Sequence, residues 1–252
     1  MSNPLFSIIN PAIREDRYEI THQSASWLSK VPFEIVFVGH NPPKKAMPAN
    51  FKYIETNVKP SQCLEIAARN ATGDYLIVTG DDLTFSKHYL TRMATYVKRL
   101  EDRKVFITSR YSLGGVIHDD YFAYDMNVPT SPIIGCGIVV KRDLWHEIGG
   151  VDRRFVSCFS DTDIQMRLYE EGYSIFITPD CIVDELIPVD MRTLFRKSGR
   201  SERKFLNSLW VNDKGFISKK RLSPVESFSD DNILSVNQSN AVAKGKLGKF
   251  KW

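Results

Sequence analysis

The sequence predicts an α/β fold with a mostly parallel sheet flanked by helices. Short apolar runs rich in β-branched and aromatic residues alternate with helix-like segments over most of the chain. Strand, helix and strand in regular succession are typical of parallel sheets, most clearly in the first half of this sequence. Ligands of such sheets bind beyond the carboxyl ends of the strands, so we expect a functional site at that edge.

The strands are expected where short apolar runs end at polar or glycine-containing turns. They cover residues 5–9, 33–38, 52–55, 75–79, 105–109, 133–140 and 174–178. The helices are expected where apolar residues recur with the helical period between start and stop signals. They cover residues 16–30, 61–71, 87–101, 143–148 and 161–171. Gly149 and Gly150 end the fourth helix, and Gly172 ends the fifth.

The last quarter of the chain has a different charge from the rest. The net charge of +4 divides into about −5 before residue 192 and about +9 from there to the end. Residues 191–252 also read as a basic, partly amphipathic helical region followed by a polar end. We therefore expect a catalytic or binding domain over residues 1–190 and a basic helical C-terminal extension over residues 191–252.

The composition is typical of a soluble globular protein, with 42% hydrophobic and 25% charged residues among 252. No apolar run approaches the ~20 residues that cross a bilayer, and the N-terminus lacks a basic region followed by an apolar core. We expect a cytoplasmic protein. The cysteines contain no CxxC pair, so we interpret them as reduced core residues and not as zinc ligands or disulfides; they are Cys63, Cys136, Cys158 and Cys181.

Two adjacent carboxylates follow the strand expected at residues 75–79. Asp81 and Asp82 come directly after Gly80, at the edge where a ligand should bind. A turn needs at most one Asp for an Asx-type hydrogen bond, and Gly80 already provides conformational freedom. The second carboxylate therefore suggests a metal ion or a substrate hydroxyl, with simple solvation as the alternative.

A second acidic cluster lies at the start of the fifth helix. Ser160 as N-cap and Asp163 three residues later form a capping-box-like pattern, which explains both residues. Asp161 has no such explanation. It would lie at the first helical position, beside the same sheet edge as Asp81 and Asp82.

Three segments in this order resemble the glycosyltransferases of the GT-A fold, which is Rossmann-like, and especially those of family 2. The segments are "GDYLIVTGDDL", "GCGIVVKRDLWHEIGGVDRRF" and "SDTDIQMRLYEEGYSIFITPD", and the resemblance covers roughly residues 5–185. It implies transfer of a sugar from a nucleotide-sugar donor with inversion at the anomeric carbon. It also implies Mn²⁺ or Mg²⁺ as cofactor.

The resemblance assigns roles to the carboxylates. Asp82 matches the last, metal-binding Asp of the family's DxD signature, and Asp81 matches the position beside it, near the ribose. Asp161 matches the general base, which takes a proton from the acceptor hydroxyl. A His that the family places after the "TPD" turn is absent here, and Asp184 and Glu185 are the nearby oxygen donors that would complete a metal site. Ordinary strand-end charge explains these two equally well.

The donor-binding candidates lie after the first two strands and on the second helix. Backbone groups after the first strand would hold the base, and basic side chains would contact the diphosphate. A solvated helix face explains Arg69 equally well. The candidates are Pro11, Ala12, Ile13, Arg14, Gly39, Lys59, Arg69 and Asp81.

The leading functional hypothesis is a metal-dependent glycosyltransferase with a UDP-sugar donor and a glycan, glycolipid or other glycoconjugate acceptor. The basic extension would then rest on an anionic membrane surface. A DNA-modifying glycosyltransferase is the first alternative, because aromatic Phe205, Trp210 and Phe216 are interleaved with basic residues. A nucleotidyltransferase and an inactive nucleotide-sugar-binding module are the others. Gly80 and Gly39, which replace acidic residues of the family pattern, motivate the last.

Overall fold

The first half of the sheet consists of four parallel strands. The structure is a computed structural model that describes residues 4–117, 136–186, 201–206, 208–212 and 215–216. In chain order the first elements are β1 (Phe6–Pro11), α1 (Tyr18–Ser26), β2 (Phe33–Gly39), β3 (Phe51–Glu55), α2 (Pro60–Asn70) and β4 (Tyr75–Val78). These strands lie side by side in the order β3-β2-β1-β4, with every neighbouring pair parallel. The carboxyl ends of β1, β2 and β4 therefore meet at one edge, as the sequence predicts.

The second half of the sheet is mixed. Its elements are β5 (Leu83–Phe85), α3 (Tyr89–Arg99), β6 (Val105–Leu113), β7 (Val116–Ile117), β8 (Cys136–Lys141), α4 (Arg142–Glu147), α5 (Ser160–Glu170) and β9 (Ser174–Glu185). The sheet continues from β4 in the order β8-β6-β9-β5, with β7 paired to β6. Strand β8 is antiparallel to both β4 and β6, β5 is antiparallel to β9, and β6 and β9 are parallel. The predicted α/β fold class is confirmed.

Strand β9 is longer than the sequence pattern predicts. The expected strand at residues 174–178 continues to Glu185, because an irregularity absorbs the "TPD" segment. Thr108 pairs with Ile177, whereas Arg110 pairs with Ile182. The extra length brings Glu185 into register with Leu83 of β5, next to the paired aspartates.

Helices cover both faces of the sheet and form two apolar cores. Ile9 of β1 packs with residues of α2, α4 and α5 on one face, where Trp145 is completely buried. Ile8 packs on the opposite face with residues of α1 and α3, as expected when successive strand residues alternate. Burial of each large apolar side chain contributes about 1.5–3 kcal/mol to stability. Among the residues that the structure describes, Cys63, Cys158 and Cys181 form no disulfide, and the first and last are buried.

The start of α5 differs from the expected capping box. The residue before the helix is Phe159, whose side chain makes no capping hydrogen bond. Asp163 instead accepts hydrogen bonds from Arg167 Nε at 3.0 Å and from Trp210 Nε1 at 2.8 Å. Arg167 also donates to the carbonyl oxygens of Ile148 and Gly150. The capping-box prediction is therefore wrong, because Asp163 belongs to a buried network that fastens α5 to the turn after α4.

Part of the predicted C-terminal extension is packed on the domain. Residues 201–206 and 208–210 are helical, and a short antiparallel pair follows, β10 (Val211–Asn212) and β11 (Gly215–Phe216). Leu206 and Trp210 pack against Phe155 and Met166. The rest of residues 191–252 lies outside the described residues, so the division into two domains stays a prediction. In the part of the chain that the structure describes, no helix has the length and apolarity to cross a membrane.

Candidate donor and catalytic site

A cavity of about 460 Å³ lies at the carboxyl ends of β1, β2 and β4. The loops after these three strands form one side of it. Tyr111 of β6, Gly137 of β8, Glu185 of β9 and the loop before α5 form the other side. The cavity therefore lies at the sheet edge where the sequence predicts ligand binding.

Asp81 anchors the loop that follows β1. Its Oδ2 accepts the backbone N–H groups of Ile13 at 2.6 Å and Arg14 at 2.8 Å. Its Oδ1 pairs with Arg14 Nη1. Since a carboxylate has about four acceptor positions, loop residues 11–14 use most of the capacity of Asp81. One of the two adjacent carboxylates thus has a structural reason to be there.

Gly39 supports the same loop through its lack of a side chain. A Cβ at this position would lie 1.7 Å from the carbonyl oxygen of Ala12. The loop also receives a hydrogen bond from Asn41 Nδ2 to the carbonyl oxygen of Ile13 at 2.7 Å. Pro11, Ala12, Ile13 and Arg14 all line the cavity. Gly39 therefore permits a close backbone approach that shapes the predicted base-binding loop.

Asp82 is the second carboxylate, and its ionisation is perturbed. Only 15% of its side chain is exposed, and Arg14 Nη2 lies 3.3 Å from its Oδ2. Burial is the main cause that raises the pKa of Asp82 to about 6; the nearby carboxylates of Asp81 and Glu185 act in the same direction, and Arg14 opposes them. A cationic ligand would relieve this cost because it favours the ionised form.

The structure distinguishes the two predicted metal ligands on β9. Glu185 lines the cavity, and Tyr111 donates a hydrogen bond to its Oε2. Asp184 does not line the cavity. Its Oδ1 accepts Ser112 Oγ at 2.5 Å and the N–H of Gly115 at 2.8 Å. Because strand residues alternate in direction, only Glu185 joins Asp82.

Asp161 lies in the first turn of α5 and opens onto the same cavity. Its side chain is exposed at the cavity surface, and its Oδ1 accepts the N–H of Thr162 at 2.9 Å. Protein atoms packed around the carboxyl group remove hydration and raise its pKa, while the Thr162 hydrogen bond partly opposes this effect. The structure therefore brings Asp82 and Asp161, which are 79 positions apart in sequence, to one site.

Two basic candidates lie elsewhere. Lys59 is buried just before α2 and does not line the cavity. Arg69 lies at the far end of α2, about 13 Å along the helix from the cavity residue Pro60. Its Nε pairs with Glu65 Oε1 at 2.8 Å. The structure does not bring either side chain to the expected diphosphate position.

Sequence reasoning missed several residues at this site. Asn10 and Thr79 lie at the ends of adjacent strands and line the cavity, yet Nδ2 of the first and Oγ1 of the second have no hydrogen-bond partner among the residues that the structure describes. Each unsatisfied buried polar group costs about 1–3 kcal/mol. Tyr111, Ser157 and Cys158 also line the cavity. No local sequence signal marks these residues, because their position depends on strand register and on the loop before α5.

The residues present fit a metal site of the open kind. Among the described residues, no group of three or more His, Cys, Asp or Glu side chains is placed to hold a metal ion. Mg²⁺ at nucleotide sites, however, takes one or two carboxylates and completes its coordination with phosphate oxygens and water. Asp82 and Glu185 match that requirement when a diphosphate supplies the remaining oxygens.

Comparison with solved structures of glycosyltransferases confirms the GT-A fold. The chain is similar to residues 1–349 of TarS from S. aureus, with 16% identity and a TM-score of 0.56 over 98% of this chain and 75% of that one. The complex of the same TarS fragment with UDP gives 15% identity and a TM-score of 0.55, covering 83% and 72%.

GalNAc-T7, solved with UDP, GalNAc and Mn²⁺, gives a TM-score of 0.62 at 12% identity, over 84% of this chain and 49% of that one. The longer TarS structure has a TM-score of 0.52 and 16% identity, over 78% of this chain, and this chain spans 39% of its length. No family model and no curated protein matches the sequence. At these identities the similarity establishes the fold.

Proposed function

We propose that this protein is a glycosyltransferase that moves a sugar from a nucleotide-sugar donor to an acceptor hydroxyl. One observation carries the proposal: in a GT-A fold, Asp82 and Asp161 open onto the same cavity at the carboxyl ends of the parallel strands. Asp82 would then serve at the diphosphate that leaves, and Asp161 would serve at the acceptor hydroxyl.

The donor would lie along the loop after β1. Residues 11–14 are held in place by Asp81 and lie where a base and ribose can pack. Arg14 would contact the diphosphate through its guanidinium, which suits phosphate oxygens. We propose a UDP-sugar, because the TarS and GalNAc-T7 structures contain UDP. When bound, Mn²⁺ or Mg²⁺ held by Asp82 and Glu185 supplies positive charge to the departing diphosphate.

Asp161 would act as the general base. Its carboxylate accepts the proton of the acceptor hydroxyl while the hydroxyl oxygen bonds to the anomeric carbon. The bond from that carbon to the diphosphate oxygen breaks in the same displacement, so the anomeric configuration inverts. The raised pKa of Asp161 makes this carboxylate a stronger base than an ordinary Asp.

The acceptor would be a glycan or glycoconjugate. The DNA-modifying alternative requires aromatic side chains that can stack on bases. Trp210 is completely buried, and the ring of Phe205 packs 5.0 Å from that of Phe155. Trp210 is therefore not presented as a stacking surface and Phe205 is half-buried, and this supports the glycan alternative. Contacts of the basic extension with a membrane stay a prediction.

Calorimetric binding of UDP-, GDP-, CDP- and dTDP-sugars, with and without Mn²⁺, tests the proposal. We expect one donor class to bind more tightly with Mn²⁺, and we expect Asp82→Asn to lose this metal effect. Asp161→Asn should bind the donor normally and transfer no sugar. Absence of binding to every donor would contradict the proposal, and pyrophosphate release from a nucleoside triphosphate would favour a nucleotidyltransferase. Metal-dependent donor binding without any turnover would favour the inactive binding module.

A further inference from the structure

The loop of residues 156–159 connects one wall of the cavity to the helix that carries Asp161. Ser157, Cys158 and Phe159 of this loop line the cavity. Phe159 has a φ of +63°, in the left-handed region that a bulky side chain rarely adopts. Such a conformation persists only where the surroundings hold it. The direction in which α5 leaves this loop, and with it the place of Asp161, depends on what holds the loop.

Glu202 of the C-terminal helical segment holds this loop through its backbone. The carboxylate accepts the N–H groups of Val156 at 3.3 Å, Ser157 at 3.1 Å and Cys158 at 2.8 Å. It also accepts Ser157 Oγ at 3.0 Å. Successive N–H groups that converge on one anion are charge-assisted donors and fix local backbone geometry. Glu202 is only 7% exposed, so this arrangement is protected from water.

The same segment also holds the first turns of α5. Trp210 Nε1 donates to Asp163 Oδ1 at 2.8 Å, two residues after Asp161. Leu206 packs with Met166 of α5. The segment thus contacts the loop on the near side of Asp161 and the helix on its far side. A segment that the sequence assigns to a separate extension thus supports one wall of the site from behind, because it bonds to the loop and helix that line the cavity.

We propose that Glu202 is a positioning residue for Asp161. Glu202 holds loop 156–159 in the conformation that presents the carboxylate of Asp161 to the cavity. The inference rests on the proposed function and deepens it. Glu202 contacts neither the donor loop nor Asp82, so its effect should fall on the transfer step and not on donor binding.

The experiment compares Glu202→Gln and Glu202→Asp with the control Glu171→Gln, which changes an exposed carboxylate just after α5. Hydrogen exchange of peptides spanning residues 154–162 reports on the loop. We expect about tenfold faster exchange in Glu202→Gln, because an amide offers one neutral acceptor in place of a carboxylate. Glu202→Asp should recover part of the protection, and the control should match the wild type. Unchanged exchange in Glu202→Gln would overturn the proposal.

Kinetics separate positioning from simple stabilisation. In Glu202→Gln we expect kcat to fall about tenfold, the donor Kd to stay within about twofold, and Glu202→Asp to restore part of kcat. Faster loop exchange with an unchanged kcat would show that Glu202 contributes to stability alone and would overturn the proposal.

If the wild type binds no donor, the proposed function fails without deciding the role of Glu202. Carbon NMR titration of Asp161 then decides the inference: a pKa that falls in Glu202→Gln, as water enters, supports it, and an unchanged pKa overturns it.

Discussion

The guanidinium of Arg14 pairs with the carboxylate of Asp82, with 3.3 Å between Nη2 and Oδ2. Its Nη1 contacts the neighbouring Asp81, so one side-chain cation joins both carboxylates at the end of β4. These contacts of Arg14 give a structural reason for the two adjacent aspartates. Asp81 holds the loop after β1, and Asp82 shares Arg14 with it at the position proposed for the diphosphate.

We first predict that Arg14→Gln weakens donor binding. Charge-assisted hydrogen bonds contribute about 1.5–3 kcal/mol each, so loss of the guanidinium should raise the donor Kd by roughly tenfold or more. The variant should also raise the pKa of Asp82 further, because Arg14 opposes the effect of burial. Calorimetry with the nucleotide sugar that binds in the donor panel measures the first effect. Lys44→Gln is the control, since Lys44 forms a 2.8 Å surface ion pair with Glu15 and is 79% exposed. Equal Kd values for Arg14→Gln and this control would contradict the role of Arg14.

A second prediction concerns the cost of keeping Asp82 ionised. Its pKa is raised from 3.8 to about 6, so the folded protein binds more protons than the unfolded chain between these values. The contribution of Asp82 to stability should therefore fall as pH rises through this window, by an amount on the order of 2–3 kcal/mol. Asp82→Asn lacks the titrating group and should gain stability relative to the wild type from pH 4.5 to 7.5.

Urea denaturation at several pH values measures this difference. Asp143→Asn serves as the control, because the side chain of Asp143 is 95% exposed. A stability difference between Asp82→Asn and the wild type that stays constant with pH would contradict the assignment. We expect Asp82→Asn to be less active and more stable than the wild type, as is common when a functional carboxylate is removed.

The parallel half of the fold is predictable because its information is local. The runs that form β1, β2 and β4 are buried on both faces and read as continuous apolar segments, and α2 shows clear helical periodicity. The polar residues just after these strands mark the sheet edge. That is enough, before the structure is known, to place Asp81 and Asp82 at the edge where the cavity lies.

The remaining features depend on contacts between distant parts of the chain. Strand β5 has three residues and is fixed by its pairing with β9, which no local pattern can indicate. That register decides that Glu185 and not Asp184 meets Asp82. Asp163 fits a capping pattern locally, but Trp210, 47 residues later, provides its partner. The sequence therefore predicts which kinds of residue lie near the site. It does not predict the roles of Asp163, Asp184 and Glu185, because contacts between distant parts of the chain determine them.

A third prediction tests Asp161 as the base. Asp161→Asn should lower kcat by about 10²- to 10⁴-fold, because an amide cannot accept the acceptor proton. The donor Kd should stay close to that of the wild type. In the wild type, kcat should fall as pH drops through the pKa of Asp161, and burial places this decline above the ordinary value of 3.8. A kcat that is insensitive to Asp161→Asn would assign the base elsewhere.

The final prediction separates Asp163 from Asp161, two positions earlier on α5. Asp163 is completely buried and pairs with Arg167, which is 3% exposed in its side chain. Removing one partner of such a pair leaves an uncompensated buried charge and costs about 3–5 kcal/mol. Asp163→Ala should therefore lower the free energy of unfolding by that amount in urea denaturation. Asp161→Ala, at a side chain exposed to the cavity, should change it by less than about 1 kcal/mol. Similar losses of stability in both variants would contradict the assignment of one aspartate to the fold and the other to the reaction.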